Sequence, residues 1–556
     1  MIHRLQALLR HPSVRALVPW LALAVLVYAV TSIPYLLASR HAPPGMAFHD
    51  GLIWQSDQDA YFSFIRQSAD GHFLFANRMT SVEHRPAFFN LEWLLVGWVM
   101  ALFHGSTTWA YQLWRFAGAL SVTCGLFALA QVALERPALR RIAMLMGLLG
   151  GAFHTLYFGL NGISRLVERA TGLHAGRLTA DFIYITVHPY AQILVNPHFT
   201  LPLGCFLLAI AAYIKGELTG NWRWYLGAGG LALVEAMMRP YELMVVYTAL
   251  PLFVVVETIV ARRIEWRKVW HRVLPLLVVA PQFLYTVYIF EVHPVFKYWS
   301  SQGVDPPEPV STTFALMGLG GLLVIVRLFL IRKFPLRTTT ERFLLVWLAT
   351  VFFFIHANAI PFLRFMPYSP QLTTSLMPAA ILLGVVLLDP ARWRWGAGRP
   401  VLQKLLVAGL VAWNAVDSLA LLYTINHPDA PTEQARYIPV TELEGYRWLD
   451  REASEDDVVF ALAETGHRLV KYASVHVVVG HWSVTPHAAE LEAYGQRFFR
   501  GEMDPAVAAE FLGQQRVKWI YLGASERKLG SGRIDQIPGF TRRVINDDVT
   551  VYSANR

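Results

Sequence analysis

The chain has 556 residues, of which 55% are hydrophobic, 13% aromatic and only 16% charged. That balance excludes an ordinary soluble protein of several domains and reads as a polytopic membrane protein. The net charge of +9 would suggest nucleic acid for a soluble chain, but the Lys and Arg residues cluster in short loops between apolar runs. They are read as a topology signal, with no nucleic-acid partner. Cys124 and Cys205 each lie inside an apolar run and are read as packed thiols.

In chain order, the start "MIHRLQALLRHPSVR" is basic and no cleavage site follows the first apolar run, so a retained first helix is expected. Runs long enough to cross a bilayer fall near 16–38, 109–134, 142–161, 198–215, 223–238, 241–261, 272–291, 310–331, 342–362, 371–389 and 401–424. The segment 88–105, "FFNLEWLLVGWVMALFHG", is ambiguous. If it spans, five basic loops move to the opposite side from the basic N-terminus. If it lies in the interface, all of them stay on the cytoplasmic side. It is therefore read as an interfacial helix, giving about eleven transmembrane helices, a cytoplasmic N-terminus and a multi-pass protein of the inner or plasma membrane. The first outer loop is then 39–108, and the transmembrane domain is 1–424.

Residues 425–556 change character and form a predicted extracytoplasmic α/β domain. "ELEGYRWLDREA", "AAELEAYGQRFF" and "PAVAAEFLGQQ" read as helices. "DDVVFALAE", "VHVVVGHW" and "VKWIYLGA" read as strands, and "RRVINDDVTVYSA" as a hairpin turning at Asn546–Asp548. The fold class is thus a polytopic helical membrane protein with a small soluble α/β domain.

Four groups of residues carry candidate chemistry. Asp57 and Asp59 precede a predicted amphipathic helix, Tyr61–Asp70. On extended backbone the pair can face one divalent cation, or one acid can take a proton from an acceptor hydroxyl while the other orients it; an N-cap is the bland alternative. A divalent cation, Mg or Mn, is the candidate cofactor, with Asp57 and Asp59 as its ligands and His84 as a possible third. Cations expected on the outer side, Arg239, Arg364, Lys297 and His198, are candidates for holding a phosphate, with His188 and His356 at similar depth. In the C-terminal domain, "VVVGHWSVTPH" offers His481 and Trp482 as acceptor-side contacts.

The stretch "DAYFSFIRQSADGHFLFAN", 59–77, resembles the first outer loop of the GT-C superfamily of integral-membrane glycosyltransferases: an acid, then aromatics including Tyr61, an Arg and a Gly-containing turn. The oligosaccharyltransferase pattern maps its acid onto Asp59, while that of the protein mannosyltransferase and aminoarabinose transferase group maps its acid onto Asp57. No Trp-Trp-Asp signature is present, "VGHWSVT" being the nearest segment. The resemblance implies a polyprenyl-phosphate sugar as donor, a glycan, lipid or protein as acceptor, membrane lipids as surroundings, and a first-loop acid as base or metal ligand. A transporter or flippase of lipid-linked sugars is the alternative; it calls for ionisable groups deep in the spans, where Glu235, Arg327 and Asp417 are the few candidates.

Overall fold

The computed structural model describes residues 12–151, 169, 188–302, 310–330, 336–360, 363, 373–389, 400–426, 436–530 and 533–555. The chain divides into two compact units. One comprises Met1–Ile33, Leu113–Leu284 and Val304–His427; the other comprises Pro34–Gln112, Tyr285–Gly303 and Pro428–Arg556.

The first unit is helical. Among the described residues six helices are long and apolar enough to cross a membrane: Val14–Arg40, Thr107–Ala133, Pro197–Thr219, Glu242–Ala261, Trp266–Val292 and Lys404–Tyr423. At a rise of about 1.5 Å per residue each matches or exceeds a hydrocarbon core of about 30 Å. They coincide with six of the expected runs. Other runs fold as shorter helices, Trp222–Met238, Gly318–Ile325, Thr339–Ile355 and Thr373–Gly384. The run at 142–161 begins in the helix Pro137–Leu149, and its later part lies outside the described residues. The interior is filled by large side chains such as Phe206, Tyr213, Phe253, Phe343 and Trp347. A buried Arg115 is tolerated there because the fold supplies acceptors: Ile193 O at 2.9 Å, Thr31 O at 2.9 Å, Thr31 Oγ1 at 3.0 Å and Ser32 Oγ at 3.2 Å.

The second unit joins the first large loop to the C-terminal segment. Its strands are β1 (Met46–Phe48), β2 (Tyr437–Pro439), β3 (Val458–Phe460), β4 (His476–Val477), β5 (Val517–Leu522), β6 (Phe540–Val544) and β7 (Thr550–Ala554). Its helices include α1 (Gln55–Ala69), α2 (Leu91–Leu102), α3 (Val440–Glu452), α4 (Ala463–Tyr472), α5 (Ala488–Phe499) and α6 (Pro505–Gln514). β1 pairs antiparallel with β2, Ala47 facing Ile438. The other five strands form one sheet, ordered β4-β3-β5-β7-β6. β3 runs parallel to β4 and β5, and β7 antiparallel to β5 and β6. The parallel β3–β4 pair requires a crossover, and α4 supplies it. The β6–β7 turn is set by Asn546, whose Oδ1 accepts from the backbone N–H groups of Asp548 and Val549.

α1 begins at Gln55, six residues earlier than the sequence led us to expect. The reason is local: Trp54 takes a left-handed backbone, φ 51°, and no side chain caps the helix, so the usual start signals are missing. Phe64 on α1 stacks against Trp93 (centroids 4.9 Å apart) and Trp299 (6.1 Å). α1 and α2 approach closely because position 97 is glycine: a Cβ there would lie 2.4 Å from Ser68 Oγ and 2.6 Å from Ile65 O. α2 has 12 residues, about 18 Å of helix, too short to cross a bilayer. Its outward residues, Leu95, Trp98 and Leu102, are apolar.

Candidate active site

Because both acids lie within α1, the expectation that extended backbone aims them at one point does not hold. Residues two apart on a helix differ by about 200° in direction, so Asp57 and Asp59 face different surroundings.

Asp59 is fully buried. Its Oδ1 lies 2.8 Å from His49 Nε2 and 3.6 Å from Lys471 Nζ, and its Oδ2 lies 2.7 Å from His467 Nδ1. Lys471, also fully buried, donates to His49 O at 2.9 Å and lies 3.5 Å from Asp50 Oδ2. Asp50 in turn accepts from the Thr107 and Thr108 hydroxyls. Burial alone would raise the Asp59 pKa, but His49 and Lys471 outweigh it and hold the carboxyl well below the usual range. Burial depresses Lys471, yet Tyr472, Asp50 and Asp59 hold it above the ordinary lysine value. For His49, burial together with Lys471 overcomes the pull of Asp59 and keeps its pKa low. Asp59 is therefore an ionised group locked among α4 and the first loop, with both oxygens engaged.

Asp57 is different. Its side chain is 39% exposed, and its Oδ1 lies 2.9 Å from Nε2 of His481, whose side chain is 4% exposed. The two atoms are close, but they do not form a hydrogen bond in this structure. His481 sits in the turn after β4, which is pinned to the first loop at several points. Thr485 Oγ1 donates to Met79 O at 2.7 Å and accepts from Gly480 N. Asn77 Nδ2 donates to Val484 O at 2.8 Å, and the backbone N–H groups of Val484 and Thr485 donate to His481 O. Gly466 on α4 lets the helix lie against this turn, since a Cβ there would stand 2.0 Å from Val479 O.

The other predicted residues are placed as follows. Tyr61 stacks on Trp93 with centroids 5.5 Å apart. His84 does not join the two acids as a third cation ligand: its Nε2 accepts from Asn77 N at 2.9 Å, so its Nδ1 donates to Val82 O at 2.8 Å. Its ring meets His293 and His476 edge-on. Burial lowers the pKa of His84 and His293 and takes His476 down to about 4. Lys297 is exposed and lies 5.6 Å from the Tyr298 ring centre.

In the helical unit, His198 is buried edge-on to Trp114. His188 Nε2 contacts Leu316 O at 2.8 Å, and His356 Nδ1 contacts Phe352 O at 2.8 Å. Arg239 is 1% exposed; its Nη2 bonds Glu242 Oε1 and Thr374 Oγ1, and its guanidinium lies over the Phe199 ring at 4.7 Å. Its Nε and Nη1 have no hydrogen-bond partner among the described residues. Arg364 lies outside the described residues.

The sequence reading missed His49, His467 and Lys471. The last two are one turn apart on α4, a helix it did not recognise; Leu469 and Val470 between them, on an otherwise polar run, were the available signal. Among the described residues no group of three or more His, Cys, Asp and Glu side chains is arranged to hold a metal ion. Asp57 and Asp59 thus do not form the shared cation site that extended backbone would have given.

The fold, membrane-length helices with a first loop that folds onto a C-terminal α/β segment, is shared with solved structures. The chain is similar to the crystal structure of ArnT from Cupriavidus metallidurans bound to undecaprenyl phosphate, at 14% identity and a TM-score of 0.51, covering 96% of this chain and 97% of that one. The same protein in its apo state gives 14% identity and 0.51, covering 98% of each. The archaeal oligosaccharyltransferase AglB from Archaeoglobus fulgidus, in complex with an inhibitory peptide and a dolichol-phosphate, has 12% identity and a TM-score of 0.48, covering 90% and 69%. No protein-family model and no curated protein sequence matches the chain.

Proposed function

We propose that this protein is an integral-membrane glycosyltransferase that moves a sugar from a polyprenyl-phosphate donor to an acceptor hydroxyl, with Asp57 as the general base. The observation that carries this reading is the contrast between the two acids: Asp59 has both oxygens occupied in a closed ionic network, whereas Asp57 is partly open and holds one oxygen against a buried imidazole. The undecaprenyl phosphate bound to ArnT, whose fold this chain shares, supports a lipid phosphate as the donor's carrier.

In the reaction the acceptor O–H attacks the anomeric carbon as the bond from that carbon to the phosphate oxygen breaks. Asp57 takes the hydroxyl proton, and the polyprenyl phosphate departs with the bonding pair. Its low pKa makes a protein acid unnecessary. With the neighbouring Asp59 held in its ionic network, Asp57 acts alone, which favours a single displacement with inversion. Arg239 is proposed to neutralise the departing phosphate, its Nε and Nη1 having no hydrogen-bond partner among the described residues, and Arg364 to assist. The proposed setting is the outer face of the cytoplasmic membrane, with the N-terminus inside, the C-terminal segment outside, and a glycan, lipid or protein as acceptor.

The test is transfer of label from an undecaprenyl-phosphate ester of a radiolabelled hexose by purified protein in detergent, with extracted cell-envelope material as acceptor. Asp57→Asn should abolish transfer while leaving the fold intact. Full activity of Asp57→Asn overturns the assignment of the base. Movement of the lipid-linked sugar without cleavage of its bond to phosphate identifies a transporter instead.

A further inference from the structure

We infer that His481 is the positioning residue for Asp57, held as the neutral tautomer with its proton on Nε2; this rests on the reading of Asp57 as the base. The tautomer follows from the far side of the ring. The backbone N–H of Ser483 points at Nδ1 from 3.3 Å, and the Ser483 hydroxyl oxygen lies 2.9 Å from the same atom. A backbone N–H can only donate, so Nδ1 is an acceptor and the ring proton is on Nε2, facing Asp57 Oδ1 at 2.9 Å. His481 thus presents its Nε2 side to one carboxylate oxygen, 2.9 Å away. It turns the other oxygen to the open side, where an acceptor hydroxyl arrives.

The ring has little freedom to do otherwise. Its backbone is tied to the first loop through Met79, whose sulfur accepts from His481 N at 3.4 Å. The turn that carries it closes through the His481 carbonyl, to which Val484 and Thr485 donate at 3.1 and 3.0 Å. The ring is 4% exposed, so water does not compete for its nitrogens. Nε2 and Oδ1 are within 2.9 Å without a formed hydrogen bond, and substrate binding is expected to align them. A C-terminal side chain therefore sets the geometry of an acid contributed by the first loop.

Two conservative substitutions separate this role from packing. Glutamine at position 481 places an amide N–H where Nε2–H stands; asparagine reaches only as far as Nδ1. With the radiolabelled undecaprenyl-phosphate hexose as probe, His481→Gln should keep most of the wild-type kcat. His481→Asn should lose roughly 10²-fold in kcat, the size of a misplacement of about 1 Å, with KM for the lipid donor little changed. Thermal unfolding of the two variants should agree within a few degrees. Equal activity of both variants, whether both high or both low, overturns the positioning role, as does a KM effect without a kcat effect. Because Asp57→Asn is assayed alongside, the two failures are distinguishable. An active Asp57→Asn removes the base itself, while an inactive Asp57→Asn beside a fully active His481→Asn removes only this inference.

Discussion

Nδ1 of His467 lies 2.7 Å from Oδ2 of Asp59, joining α4 of the C-terminal segment to α1 of the first loop inside the second unit. With Lys471 3.6 Å from the other oxygen and 3.5 Å from Asp50, the two carboxylates together make a fully buried ammonium tolerable.

Asp59→Asn should therefore act on stability before it acts on chemistry. Removing one partner of a buried ionic group typically costs about 3 to 5 kcal/mol, because the remaining charge is left uncompensated. Asp57→Asn, at a partly exposed site, should cost less than about 1 kcal/mol. Thermal or denaturant unfolding of the two purified variants checks this, and equal stability of the two would refute the division of roles between the acids.

The histidines predict the response to acid. His476 has a folded pKa of about 4, driven down by burial, against about 6.5 when unfolded, so between those values the unfolded state binds more protons. Its contribution is complete above about pH 6.5 and is lost as the pH falls toward 4, a total of about 3 kcal/mol. Asp59, depressed in the folded state, extends the loss below the ordinary carboxylate range, since its contribution is present above the unfolded pKa of about 3.9. Unfolding measured from pH 7 to 4 should show stability falling, and His476→Gln should flatten that slope. An unchanged slope in the variant would refute the assignment.

Gly466 is where α4 meets the turn carrying His481. An added methyl would stand 2.0 Å from Val479 O, so Gly466→Ala should cost about 1 to 3 kcal/mol through overpacking and move the imidazole off Asp57. Stability and sugar transfer should fall together. A variant that folds and transfers like wild type would show that the turn has slack to spare.

Chelation separates a base from a metal ligand. Since Asp57 meets one imidazole and Asp59 is occupied elsewhere, transfer should survive treatment with EDTA. A loss of activity that added Mg or Mn restores would mean that Asp57 serves a cation.

Much of this was legible in the chain. The long apolar runs and the outer sheet strands follow from hydrophobic length and alternation, and Asn546 marked its turn by its own chemistry. The starts of α1 and α4 were not legible, because neither Trp54 nor Leu462 is a capping residue and both helices are fixed by partners far away in sequence. The stretch that carries the resemblance is largely packed into the second unit: Asp59 is buried in the ionic network, Phe64 in an aromatic stack, and Arg66 donates to Asp450, Ser474 and the Tyr472 carbonyl. No spacing rule distinguishes Asp57 from Asp59; only their surroundings do, and those come from residues some 400 positions later in the chain.

The pairing of Phe48 with Tyr437 imposes an order on biogenesis. At synthesis rates of about 5 to 20 residues per second, strand β1 waits roughly 20 to 80 s for its partner to be made. Throughout that interval Asp59 lacks His467 and Lys471. The first loop therefore reaches its folded state only after the last long helix, Pro400–Asn426, and the segment that follows it have been made.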